Sequence, residues 1–140
     1  MKAKELMIGD LVRIIEPDRY HGAICRIVSL INHKDDECAY FKVFILTKGN
    51  LLHEVCNEDI KPIQLTSAIL EKNGFNRHGC VSENEQYQVM IQHWSEDNLA
   101  LNKVGKHGNP VFIPDLIYVH ELQHALRLCG LNDLADNFKI

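Results

Sequence analysis

Short apolar runs separated by turn residues fill the first 65 positions, and each run is too brief for a helix. The pattern predicts strands over Leu11–Ile15, Ala23–Ile31, Tyr40–Leu46 and Leu51–Cys56, with Ile60–Leu65 as an extended closer confined to an edge by Pro62. In the second run Ile24, Val28 and Leu30 share a face that Arg26 interrupts. Lys48-Gly49-Asn50 supplies a hairpin turn, and the polar stretch His33–Glu37 reads as a loop. The period changes at Thr66, a good N-cap for a two-turn helix that stops at Gly74.

Asn76–Gln86 is polar and shows no period. Tyr87–Trp94 and Leu99–Val104 then pair through Ser95–Asn98, and a turn over Gly105–Pro110 leads into Val111–Ile113. The last element carries Tyr118, Val119, Leu122, Ala125, Leu126 and Cys129 at three- and four-residue spacing, a single apolar stripe. Pro114 and Asp115 suit its first turn, and Gly130-Leu131 its stop. These elements predict an α+β, mainly β chain. Residues 1–65 form an SH3-like small barrel, and residues 66–140 a connector helix, a three-stranded antiparallel meander and a covering C-terminal helix, in one or two compact units.

With 46% hydrophobic residues in 140, the chain can bury a core. Its formal charge of −4 gives no general pull toward phosphate backbones, although protonating all eight histidines would bring it to +4. No duplex binding is therefore expected at neutral pH. No apolar run reaches the roughly 20 residues of a membrane span, and Met1–Glu5 does not open a signal peptide, so the expected address is cytoplasmic and away from membranes. Cys25, Cys38, Cys56, Cys80 and Cys129 are odd in number and irregularly spaced, as reduced core thiols are.

His120-Glu121-Leu122-Gln123-His124 matches HExxH, the helical pattern in which two histidines hold zinc and the glutamate acts as base. Three features weigh against it. The 16 residues after His124 contain no Glu, only Asp133 and Asp136 as carboxylates. On a helical wheel His120, Gln123, His124 and Arg127 lie opposite the apolar stripe and are expected to face solvent. A meander and one helix also leave little protein for the far wall of a substrate cleft. His53 and Cys56 fall on opposite faces of a strand, and His78 with Cys80 is one ligand pair where zinc sites show two.

No Gly-x-Ser-x-Gly elbow and no phosphate loop is present, because Lys48-Gly49-Asn50 and Gly105–Gly108 lead into strands and not helices. Lys103, Lys106 and His107 make a small basic tip that reads as a solvated turn. Trp94, the single tryptophan, is either a cover for the sheet edge or an aromatic that holds a peptide.

Two segments, Ile60–Phe75 (IKPIQLTSAILEKNGF) and Ile117–Gly130 (IYVHELQHALRLCG), resemble a family of small proteins from Bacteroides-type prophages and mobile elements. In that family the position of Glu121 is often Gln and that of His124 can be Asn, which implies that HExxH arises here by substitution. The resemblance implies a genomic setting and no activity.

The sequence therefore predicts a non-enzymatic interaction or accessory protein without a cofactor, whose partner is a protein or peptide. His120, His124, Arg127 and Trp94 are the candidate contact residues. Two alternatives stand beside it: a zinc-dependent hydrolase through His120, Glu121 and His124, and a nucleic-acid accessory protein using Arg13, Arg19, Arg26 and Lys42.

Overall fold

The computed structural model describes residues 2, 5–17, 19–35, 38–104 and 110–140. Glu37, Lys106 and His107, named above in a loop and a basic tip, lie outside the described residues, as does the turn over 105–109. The chain divides into two compact units, Met1–Ile63 and Gln64–Ile140. Gln64 and Leu65 belong to the second and not the first: Gln64 bridges to Tyr118, and the Leu65 N–H donates to the Ile117 carbonyl at 2.9 Å.

In the first unit, β1 (Leu11–Ile14), β2 (Ile24–Asp35), β3 (Cys38–Ile45), β4 (Leu51–Cys56) and β5 (Ile60–Pro62) make one antiparallel sheet in the order β4-β3-β2-β1-β5. A five-residue loop joins β3 to β4, a 3-10 turn over Leu46–Lys48 followed by Gly49 and Asn50 at positive φ. No ladder joins β4 to β5 among the described residues, so the sheet is open and the expected closed barrel is not formed. One face buries Val12, Ile14, Cys25, Ile27, Phe41 and Val43, closed over by Tyr20.

That core corrects two expectations for β2. Its buried face is Cys25 and Ile27, not Ile24, Val28 and Leu30, because Cys25 pairs with the core residues Val12 and Ile45 and Ile27 with Val43, while Ile24 alternates with Arg26 onto the other face. His33–Asp35 is strand and not loop, since it pairs back onto the first residues of β3.

The second unit starts with α1 (Ser67–Lys72). Thr66 Oγ1 accepts from the Ile69 N–H at 3.3 Å, and a Schellman stop places Gly74 at φ 79° with Leu70 and Phe75 buried together at the end. Five strands follow as a plain meander: β6 (Asn76–His78), β7 (Val81–Asn84), β8 (Val89–Ser95), β9 (Asn98–Val104) and β10 (Pro110–Leu116). The meander thus has five strands and not three. The polar stretch over Asn76–Gln86 hides a hairpin turned by Gly79-Cys80, with glycine at the first central position of the two-residue turn and φ 63°.

Pro114 and Asp115 extend β10 and do not start the helix. Asp115 sits at φ 59° in the bulge that brings Leu116 opposite Leu99. α2 spans Val119–Leu128 and buries Val119, Leu122, Ala125 and Leu126, the expected stripe. Its stop is the expected Schellman pair: the Leu131 N–H donates to Leu126 O and the Gly130 N–H to Arg127 O, each at 2.9 Å. A short third helix, α3 (Asn132–Asp136), then folds back along α2. Asn73 fastens the chain's last residues, giving a side-chain N–H to the Lys139 carbonyl and accepting the Lys139 N–H, both at 2.8 Å.

Candidate functional site

The HExxH residues lie in the first two turns of α2, and their surroundings differ from the wheel's expectation. His120 is buried at 5% exposure and Gln123 fully, while His124 and Arg127 are half-buried. The wheel gives an angle about the helix axis but no neighbours, and α3 supplies them. The Gln123 Nε2 donates to the Ala135 carbonyl at 2.8 Å, and Arg127 pairs with Asp136 at 3.2 Å. Tyr118 stacks on His120 at 5.9 Å, and the His120 and His124 rings meet edge-on at 5.8 Å. His120 is thus a packed side chain and not part of a solvent-facing surface.

Glu121 stands at the third position of α2. Its Oε2 accepts the N–H groups of Ile117 and Tyr118 at 2.8 and 2.9 Å. A carboxylate there satisfies amides that the helix start leaves without partners and favours the positive end of the helix dipole. The glutamate a zinc hydrolase would need as a base is engaged with its own helix. Among the described residues no group of three or more His, Cys, Asp or Glu side chains is placed to hold a metal ion. His53 lies edge-on to Tyr20 and 3.5 Å from Glu16, away from Cys56, which is buried against Asn57.

Trp94 stands on the outer face of the second sheet. Alternation along β8 turns Val89 and Ile91 inward and Met90, Gln92 and Trp94 outward. Phe112 of β10 reaches the same outer face, and its ring centroid lies 5.8 Å from that of Trp94 with the rings tilted by 38°. Trp94 is 51% exposed and Phe112 49%. Exposed Glu96 and Asp97 follow Trp94 in the β8–β9 hairpin, and by register exposed Asp115 lies at that same end of the sheet. This is an aromatic surface with an acidic rim. Phe112 went unnamed in the sequence because only the strand pairing brings it to Trp94.

A polar groove of about 480 Å³ adjoins the same β8–β9 hairpin, lined by Ser67, Arg77, Cys80, His93, Glu96 and Asp97 among others, and the Gln64 Nε2 donates to Asp97 Oδ1 there at 2.6 Å. Cys80 and His93 face each other across the β7–β8 ladder, where the His93 N–H donates to the Cys80 carbonyl at 2.8 Å. His93 Nε2 lies 2.7 Å from the buried Ser82 Oγ. Burial, and then the nearby Arg77, pushes the His93 imidazole below its ordinary pKa and keeps it neutral. Cys80 is exposed, against the expectation of a core thiol, whereas burial raises Cys25 to about 12 and Cys129 also upward.

In the first unit, register places three of the four candidate basic residues on one face. Leu11 pairs with Arg26, Arg26 with Phe44, and Phe44 with Leu52, so these share the face opposite Val12 and Ile14, on which Leu11 is buried and Phe44 and Leu52 are exposed. Arg13 and Lys42 alternate onto it, as does Lys61 beside Arg13. Arg19 is elsewhere, 4.7 Å over the Tyr20 ring. No helix among the described residues is long and apolar enough to cross a membrane. No family model, curated protein or solved structure matches the chain.

Proposed function

We propose that this is a non-enzymatic interaction protein, an accessory factor of a mobile element, that holds a basic segment of a protein partner on the outer face of its second sheet. The observation that carries the reading is the half-exposed Trp94–Phe112 pair beside Glu96, Asp97 and Asp115. Paired aromatic rings beside carboxylates suit arginine and lysine side chains. The cation lies over a ring, its alkyl stem covers apolar surface, and the acidic rim supplies the counter-charge. For the first unit we propose an SH3-like roll, on the strand order β4-β3-β2-β1-β5 and the 3-10 turn at Asn57–Asp59 ahead of the last strand. The setting rests on the resemblance of the two segments described above. The zinc alternative gains no support from Glu121, which caps α2.

Trp94 is the single tryptophan, so its fluorescence reports this surface alone. Titrating a peptide of alternating arginine and leucine should give a saturable change that weakens with salt. The change should be lost in Phe112→Ala and in the double variant Glu96→Lys, Asp97→Lys. An acidic peptide of equal length producing the same change, or no saturation with the basic one, would reject the reading.

A further inference from the structure

The outer face of the first sheet carries the opposite charge: Tyr40, Phe44 and Lys61 are exposed on it, Arg13, Arg26 and Lys42 are half-buried, and Leu11 at its β1 end is buried. Along β3 the core takes Ala39, Phe41, Val43 and Ile45, which leaves Tyr40, Lys42 and Phe44 side by side on the outer face. Tyr40 is 48% exposed and Phe44 37%. The strand rise of about 3.3 Å per residue puts the two rings roughly 13 Å apart with a cation between them. Arg26 lies directly across from Phe44, Lys61 stands on β5 on the same face, and Arg13 beside it gives its Nη1 to the Gly22 carbonyl at 3.0 Å. Glu54, opposite Lys42, is the carboxylate that register places among these four cations.

We infer that this face binds single-stranded nucleic acid, with bases stacking on Tyr40 and Phe44 and phosphates meeting Lys42, Arg26 and their basic neighbours. Aromatic side chains interleaved with cations on an open sheet offer each base a flat partner and each phosphate a counter-charge without reading sequence. The face is a sheet surface, not a helix or ribbon that could enter a groove, and stacking needs unpaired bases, so duplex is a poor ligand. A basic peptide is disfavoured here by the same cations. The overall charge of −4 limits long-range attraction, so binding rests on this local set and is salt-sensitive.

The test uses the full chain with labelled oligo(dT) and oligo(U) strands and a duplex of equal length, followed by anisotropy at several salt concentrations. Single strands should bind and the duplex should bind at least tenfold more weakly. The plot of log affinity against log salt should slope by about −2 to −3 for three or four phosphate contacts at roughly 0.7 each. Lys42→Gln should flatten that slope by about 0.7. Phe44→Leu keeps an apolar side chain but removes the ring, and should weaken binding about tenfold or more, while Phe44→Tyr should restore it. Absence of binding, equal binding of duplex, a slope unchanged in Lys42→Gln, or full affinity in a folded Phe44→Leu protein would each overturn the inference. Trp94→Ala should bind the strands normally, which keeps this result separate from the fate of the peptide-binding surface.

Discussion

The two units solve the problem of a five-stranded antiparallel sheet in different ways. The first returns its last strand to pair with its first, and its core is built from residues of the sheet and of the segment that carries Tyr20. The second is a meander whose strands follow chain order, and its apolar helix stripe is supplied by α2, steadied by α3. A sheet that covers its own face hides few polar groups. A sheet that borrows a helix must also satisfy that helix's ends and its second side, and here Glu121, Gln123 and Arg127 are spent on that task. Residues that look like a site in sequence are thereby used up in architecture.

The contrast breaks most visibly at Leu122, fully buried in α2. Leu122→Asp places an unpaired charge in the second core and should cost several kcal/mol, unfolding that unit. Amide resonances of residues 64–140 should collapse in an NMR spectrum, and a variant with unchanged spectrum and melting temperature would show that α2 does not hold the second sheet. Next in size is Gln123→Ala. It leaves the buried Ala135 carbonyl without its donor, so a loss of about 1–3 kcal/mol is expected in denaturant unfolding.

Glu121 separates capping from catalysis with a smaller effect. Glu121→Ala should lower stability by about 1 kcal/mol, whereas Glu121→Gln, which can still accept from Ile117 and Tyr118, should stay near the parent in thermal melts. Equal losses in both variants would place the requirement on the charge and not on the hydrogen bond. The smallest effect belongs to His93. Its folded pKa is depressed by burial and by Arg77, so above about pH 6.5 the ring is neutral in both states. As pH falls below that value the unfolded chain takes up a proton that the folded chain resists, and stability declines toward the folded pKa. The melting temperature of His93→Gln should therefore vary less between pH 7 and about pH 5 than that of the parent.

Chain punctuation was the most legible part of the sequence. Thr66 and Gly74 bracket α1, Gly130-Leu131 ends α2, and Gly49-Asn50 turns β3 into β4, because each position has a local steric or hydrogen-bonding reason. What escaped depends on neighbours distant in sequence. β6 is polar and fully exposed, so it shows no alternation, and the Gly79-Cys80 turn was the only local sign of its hairpin. Pairing with Val12, Ile45 and Val43 puts Cys25 and Ile27 of β2 on the core face, and the five-residue α3 is too short to display a period. The candidate sites follow the same rule. Arg13, Arg26 and Lys42 could be named singly, but only register sets them beside Phe44 and Tyr40, while Arg19 drops out.

The outer strand of the second sheet also governs how that sheet can grow. β10 carries Pro110 and Pro114, neither of which has an N–H to offer, so the strand keeps its ladder to β9 yet templates a further strand poorly. β6 at the other end, and β5 in the first sheet, are three residues each. β4 alone among these edges is six residues long and free of proline, with Leu51 and Leu52 exposed. Strand-by-strand misassembly of concentrated protein would start there, and a proline or lysine placed at its exposed positions is the economical way to block it.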